Sequence, residues 1–524
     1  MILAASGIRT ADWAVVGLYF LGIVGMGFYF ARRQRSTSEY FLGSRSMASW
    51  VVGLSMIATL LSTISYLAVP GELIKHGLGW FLSLLNLPLS YVVVAYIFIP
   101  FFMRLPITSA YEYLDSRFGG HTRTLGAVYF ILIRIFWMSV VVFTASGAMA
   151  AMTGAKLWMV ILALGTLTTF YAAFGGIRAV IWTDVVQFIV LCGGAVFAVG
   201  YVTYHMGLSS WVSLAVEHTE LTSPVWSWDP TVRLTVVGVT IHALAWHVCT
   251  YSSDQVVIQR YLTTRDGRAA RRSFIVCCIG DVFLMIVLGA VGFALLALYQ
   301  KHGNLLTGDF AGQLRDRADD IFPYFIAHQL PVGLTGLIIA ALFAAAMSSL
   351  DSGVNSVSAV VTVDFYQRWR RQRLTDTTSL TFAKGLALGL GVTATVLALF
   401  VGNIKGNIVE ITNKSTSCIV GPLFGLFALG MFSRQTNQIG AIVGGVAGLL
   451  VGLLVTFWGQ WVDPAYDISF MWIIPASVLA TLAVGYVASL SGRRPTDEQL
   501  QFTWRAVMSR ARPVTPADVD ASDA

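Results

Sequence analysis

The sequence predicts an all-α polytopic membrane protein with about thirteen transmembrane helices. Three observations carry that expectation. The 524 residues are 56% hydrophobic and 12% charged, against roughly 25% charged in an average soluble domain, so the chain has too few charges to coat a water-facing surface. Its apolar residues fall in runs long enough to cross a bilayer, which takes about 20 residues per helix. Its Lys and Arg residues gather in alternate connecting segments, as cytoplasmic loops do. The formal net charge of +7 is explained by those segments. It does not call for nucleic acid as a partner, and the lipid bilayer is the surrounding medium.

Taken in order, the first run is 12–31. Asp12 opens it, and Arg32, Arg33 and Arg35 close it. A cleavable signal has a basic start and a short apolar core, so this run reads as a retained leading helix. The others are 47–76, 80–103, 124–152, 156–174, 178–205, 233–253, 273–299, 331–365, 378–402, 407–432, 436–459 and 468–491. Several exceed a perpendicular span, which implies tilt or a break. No segment outside them is long enough for a second domain. The expected organisation is one transmembrane domain over 1–491 and a polar tail over 492–524, with an acidic end (Asp518, Asp520, Asp523). That tail is expected to be disordered or to form a short surface helix.

Orientation follows from the basic segments. With the N-terminus outside, the cytoplasmic side holds Arg32, Arg33, Arg35 and Arg45, then Arg104, Arg117 and Arg123, then Arg178. Arg260, Arg265, Arg268, Arg271 and Arg272 follow, then Arg368, Arg370, Arg371, Arg373 and Lys384. Arg434 and a tail bearing Arg493, Arg494, Arg505, Arg510 and Arg512 complete the set, which puts the C-terminus in the cytoplasm. The expected location is the plasma membrane. The five cysteines (Cys192, Cys249, Cys277, Cys278, Cys418) lie in apolar runs without metal-ligand spacing, as small buried hydrophobes do.

Three spans concentrate polar groups, which are expensive in lipid and mark pathways by default. The second contains Ser55, Thr59, Ser62, Thr63 and Ser65 ahead of Pro70 and Gly71. Proline removes a backbone donor, so a break there frees carbonyls for an ion, or the span is a simple kink with back-bonded serines. The seventh crowds His242, Trp246, His247, Thr250, Tyr251, Ser252, Ser253 and Asp254, for a solute path or for interhelical hydrogen bonds. Its two histidines are five apart, which is poor spacing for a metal pair. The ninth holds Ser348, Ser349, Asp351, Ser352, Asn355 and Ser356. Such an oxygen-rich set suits a hard cation such as sodium, or serves close packing of small residues. Arg134, Asp184, Asp281 and Lys414 are further intramembrane charges in need of partners. The two interrupted spans lie five helices apart, so five-helix units starting at each run in opposite directions, a common transporter plan.

Four segments, ITSAYEYLDSRFG (107–119), GGIRAVIWTDVVQ (175–187), DQVVIQRYL (254–262) and AAAMSSLDSGVNS (344–356), resemble the solute:sodium symporter family, and the resemblance covers residues 10–490. It implies a LeuT-like 5+5 inverted-repeat core. The leading helix 12–31 precedes a first repeat over 47–205 and a second over 233–432, and two trailing helices follow over 436–491. It implies sodium as coupling ion, held by carbonyls of Ala58, Leu61 and Ala345 and hydroxyls of Ser348 and Ser349. It allows a second sodium at Asp184, Ser348, Asp351 and Ser352. No further cofactor is implied.

The solute site adjoining the first sodium is expected at Ser62, Ser65, Tyr66, His247, Thr250, Tyr251 and Lys414. Sugar-carrying relatives place Glu and Gln where this chain has Ile64 and Ser65, which argues against their mode of binding. The stretch STISYLAVPGE looks closer to the iodide, monocarboxylate and multivitamin subgroup. Lys414 pairs with a solute carboxylate on this view, or else neutralises Asp281. The expectation is a symporter for a small polar solute, favoured to be an organic anion. The alternatives are a sugar or other neutral solute, proton coupling, or a solute sensor on the same fold. Nothing reads as a channel filter, and no HExxH or GxSxG signature points to an enzyme. The core can be complete in one chain, which allows a functional monomer.

Overall fold

The computed structural model describes residues 8–32, 36–221, 225–370, 376–403, 408–463 and 466–510. Arg33, Arg35, Arg371, Arg373, Arg512 and the acidic end of the tail lie outside the described residues.

Helices make up most of this range. In order, the main elements are α1 (Thr10–Ala31), α2 (Ser49–Leu60) and α3 (Thr63–His76). A 3₁₀ stretch (Gly77–Asn86) leads to α4 (Leu87–Val93), which runs on through a π turn into Ile99–Phe102. Next come α5 (Gly120–Thr153), α6 (Leu157–Met206), α7 (Val236–Ser253), α8 (Gln255–Leu262) and α9 (Gly267–Lys301). Then follow α10 (Ala318–His328), α11 (Leu334–Val360), α12 (Asp376–Val401), α13 (Ile408–Phe432), α14 (Gln438–Thr456) and α15 (Ile473–Leu490).

Ten helices among the described residues are long and apolar enough to cross a membrane. The sequence predicts more because that count joins neighbouring runs across kinks. The runs predicted over 156–174 and 178–205 are the two parts of α6, separated where Gly176 leaves helical conformation at φ 59° and ψ −175°. That backbone region is essentially open only to glycine, so the expected loop at Arg178 shrinks to a single residue. Conversely, α2 is too short and α7 too polar to count as spans by themselves.

The second span is broken, but not at Pro70. Pro70 lies inside α3, where it leaves the Tyr66 carbonyl without its helical donor. The helix continues past it, with α9 packed close at Gly292, where an added Cβ would sit 2.8 Å from the Pro70 carbonyl oxygen. The break falls at Leu61 and Ser62, both in extended conformation. The Ser62 hydroxyl restarts the helix by accepting the Ile64 N–H at 3.2 Å, an N-cap. The seventh span breaks in the same way. Asp254 is extended between α7 and α8, and its carboxylate accepts the Val256 N–H at 2.9 Å.

Helix α11 is the axis of the bundle. It is buried almost end to end and packs against α6, α5, α1 and α12. Its start is fixed by Asp12 of α1, whose carboxylate accepts the N–H groups of Gly333 (2.6 Å) and Gly336 (2.9 Å). An anion at a helix N-terminus is favoured by the unpaired donors there. Outside the core, α14 and α15 pack closely. Gly440, Gly444 and Gly448 of α14 lie directly against Ser489, Gly485, Thr481 and Ser477 of α15, the small-residue contact that drives helix association in lipid.

The basic segments are less uniformly solvent-facing than the orientation argument assumes. Arg117 and Arg260 are fully buried. Arg117 donates to the carbonyls of Gly430 (3.0 Å) and Ser433 (2.7 Å), closing the C-terminal end of α13. It is a structural clamp there rather than a loop charge.

Gly176→Ala is expected to cost about 1–3 kcal/mol, from forcing a Cβ into that backbone region. The check is a lowered temperature of half-loss of the monodisperse peak for the detergent-purified protein, relative to an exposed control such as Gly200→Ala.

Candidate functional site

The end of α2 supplies carbonyls without helical donors. The last four C=O groups of any helix lack intrahelical partners, and here the Leu61 N–H reaches back only to Ile57, at 2.9 Å. Two hydroxyls of α11 take the next two. Ser348 Oγ donates to the Ala58 carbonyl at 2.8 Å, with the Ala345 carbonyl 3.2 Å away. Ser349 Oγ donates to the Thr59 carbonyl at 3.1 Å. Ala58, Ala345, Ser348 and Ser349 are thus brought together as expected, with Leu61 at the break itself. The donors are all oxygens, which fits sodium. To hold it, the serine hydroxyls turn their hydrogens away and present lone pairs beside the carbonyls.

One turn along α11 lies a charged cluster. The Arg260 Nη2–Asp184 Oδ2 pair is 2.9 Å long, and both side chains are 0% exposed. Around it, Ser55 and Thr59 donate to Asp184. Arg260 also reaches Ser55, Thr59, Ser352 and the Val256 carbonyl. Asp351 accepts from Tyr171 and from Ser352, the latter at 3.2 Å. Asp184, Asp351 and Ser352 therefore do assemble, but around a guanidinium. Arg260, assigned by sequence to a cytoplasmic loop, belongs to this buried centre. It sits on the short α8, next to the basic segment 265–272, which is why its position in sequence misleads. Two carboxyl groups share one guanidinium, and Asp184 Oδ1 is buried without a partner.

The intramembrane charges resolve into pairs. Arg134 of α5 pairs with Asp254, the cap of α8. His247 Nε2 lies 3.7 Å from Asp281 Oδ2. Lys414 is half-buried on α13.

A cavity of about 190 Å³ opens beside the α2–α3 break. Leu61, Ile64 and Ser65 form one wall, His242, Trp246, His247 and Tyr251 of α7 another, and Asp281 and Met285 of α9 a third. Glu72 and Arg233, 2.9 Å apart, line it as an ion pair. Of the expected solute residues, Ser65, His247 and Tyr251 line the cavity. Ser62 is spent as the cap of α3. Tyr66 is buried against Phe322 with ring centroids 5.5 Å apart, and Thr250 is buried in α7. Lys414 is not in the wall; Thr412, Asn413 and Thr416 of the same helix are. Adjacent helical residues point about 100° apart, so Asn413 in the wall turns Lys414 aside. Sequence reasoning also missed Trp80, Trp137, Glu72 and Arg233. The two tryptophans carry no signal apart from apolar neighbours, and the other two lie beyond the spans' polar runs.

Residues 40–448 match the model of the sodium:solute symporter family. The chain belongs to that family. It is a sodium-coupled solute symporter, of a family without catalytic activity, and a multi-pass membrane protein. The sodium/sialic acid symporter of Aliivibrio fischeri is 30% identical over 93% of this chain and 94% of its own. The human sodium/iodide cotransporter is 30% identical over 91% of this chain and 74% of its own. The solved structure of a sodium-coupled sialic acid symporter in a substrate-bound, outward-open state superposes with a TM-score of 0.82 at 27% identity, over 93% of this chain and 99% of that one. The fold is LeuT-like.

The Arg134–Asp254 pair tests the buried electrostatics. Arg134→Met alone is expected to destabilise by about 3–5 kcal/mol, because it strands a buried carboxylate. Adding Asp254→Asn should restore at least ~1 kcal/mol, read from thermal midpoints across the double-mutant cycle.

Proposed function

We propose that this symporter carries a small organic anion into the cell with sodium, across the plasma membrane, through thirteen crossings with the N-terminus outside and the C-terminus cytoplasmic. The observation that carries the proposal is the shared element. The break between α2 and α3 faces the serine pair of α11 on one side and, through Leu61, Ile64 and Ser65, the cavity on the other. In this reading sodium enters among Ala58, Leu61, Ala345, Ser348 and Ser349, fixes the broken span and so shapes the solute site. Coupling of this kind requires a ligand that prefers one conformational state. Moving one charge across 100 mV supplies ~2.3 kcal/mol, roughly a fifty-fold accumulation before any sodium ratio is counted.

The thirteen crossings follow from counting α2 with α3 as one broken span and α7 with α8 as another, and from dividing α6 at Gly176 and the Thr63–Phe102 stretch at the end of α3. The two breaks then begin two five-helix repeats, over 47–205 and 233–432.

Support for an anion no longer comes from Lys414. It comes from two relatives named for anions, sialic acid and iodide. A bound sodium adds positive charge beside the cavity. The Arg260 cluster supports a second cation. An unbalanced charge in a site without water is costly, and the free Asp184 oxygen offers it a ligand. A second sodium or a proton would each restore balance, with Asp351 and Ser352 alongside.

Ser348→Ala with Ser349→Ala is expected to abolish sodium-driven uptake, and sodium-dependent thermal stabilisation with it, while the protein remains monodisperse. Retention of sodium-dependent uptake would refute the first site. Asp351→Asn should flatten a sodium-stabilisation curve that rises more steeply than a single site in the unaltered protein. Identical curves would remove sodium from the second site and leave the proton.

A further inference from the structure

The cavity wall sets an imidazole and a carboxyl group facing one another. His247 Nδ1 lies 2.7 Å from the Ala243 carbonyl oxygen. A carbonyl only accepts, so Nδ1 carries the hydrogen. In a neutral imidazole the other nitrogen is then a lone pair, and His247 Nε2 points it at Asp281 Oδ2, 3.7 Å away. That separation is too long for a direct hydrogen bond and suits a donor placed between the two atoms. The imidazole cannot easily turn away. Its far nitrogen is tied to its own helix, and its ring stacks on Tyr251 at 5.8 Å and 13°. Both residues are about nine-tenths buried and both line the cavity.

The remaining titratable groups of that cavity do not supply the donor. Glu72 of α3 and Arg233 before α7 are engaged with each other at 2.9 Å. His242 Nδ1 donates to the Met471 carbonyl at 3.2 Å. The Tyr251 hydroxyl is within 3.3 Å of Cys277 Sγ. The 3₁₀ stretch 77–86, α5 and α13 bring only Trp80, Ser83, Leu84, Trp137, Thr412, Asn413 and Thr416 to the wall.

We propose that His247 and Asp281 form a two-acceptor seat for an ammonium group of the transported solute, whose separate N–H bonds can reach both atoms where the single hydrogen of a hydroxyl reaches only one. The proposal rests on the symport reading and narrows it. The solute carries a donor as well as any negative charge, and an analogue lacking the donor leaves two buried acceptors unpaired, which is where discrimination is greatest.

Three probes share one carbon skeleton: lactate carries a hydroxyl, alanine an ammonium, and propionate neither. Thermal-shift titration of the full-length, detergent-purified protein with each, in sodium and in potassium, separates the two readings. The expected result is an apparent affinity for alanine at least ~10-fold tighter than for propionate, with lactate between them and the advantage lost in both His247→Phe and Asp281→Asn. Coincident curves for all three probes, with stabilisation present, overturn the seat and leave sodium coupling untouched. Coincident sodium and potassium curves overturn the coupling and leave the seat standing. The ¹⁵N resonance of His247 at neutral pH without solute, assigned by its loss in His247→Phe, decides the matter if none of the three binds. An unprotonated Nε2 supports an open seat, and an imidazolium overturns it, because a resident proton then fills the gap.

Discussion

The buried Arg260–Asp184 pair holds the core of this transporter in register. Helices in lipid gain little from apolar contact with each other, so polar groups must specify how they align. Arg260 does this for four elements at once. From α8 it reaches Ser55 and Thr59 of α2, Asp184 of α6 and Ser352 of α11. A guanidinium is suited to the task because it stays charged and presents its donors in a fixed fork. The same short helix reaches further. Gln255 bonds the backbone at Thr108 and Ala110, and Gln259 bonds Asn355 and Ser356. The four segments singled out in the sequence therefore converge on 254–262.

This arrangement ties the two proposed cation positions together through Thr59. Its carbonyl accepts the Ser349 hydroxyl, and its own hydroxyl joins Arg260, Asp184 and Ser352. On the proposed reading, sodium at the serine pair would replace the hydroxyl–carbonyl contacts and so reposition the end of α2. That end is also one wall of the charged cluster. Occupancy of one position is thereby felt at the other across a single residue, without a longer chain of contacts.

Much of this was legible in the sequence, for identifiable reasons. Serines, an aspartate and an asparagine in one apolar span are costly enough to single out the cluster on α11, while the pairing of Ser348 with Ala58 came from the resemblance to the family. Breaks were legible only as tendencies. Proline announced one at 70, yet a helix held on both sides tolerates proline, while the actual break at 61–62 needed only a capping serine and partners for the carbonyls. Arg260 was misjudged because a charge near a basic loop looks like part of the loop, and only its neighbours in space show otherwise. Lys414 failed for a simpler reason. A helix wall faces one way, and alignment to one residue's accuracy decides between Asn413 and Lys414.

The cavity and the two breaks together explain why the polar groups are distributed so unevenly. Each break leaves carbonyls at one end and N–H groups at the other, and each is closed by a side chain that serves a second partner. Asp254 caps α8 and pairs with Arg134. The α2 carbonyls meet the serines of α11, while Ser62 caps α3. Neither break can straighten into continuous helix without stranding a charge or a hydroxyl in a region without water. Moving the broken spans as rigid halves keeps those contacts intact, and only the contacts between halves change. On the proposed reading, alternating access in this chain is therefore best served by rocking about the Arg260 hub, with the solute at the wall formed by Ser65, His247 and Asp281.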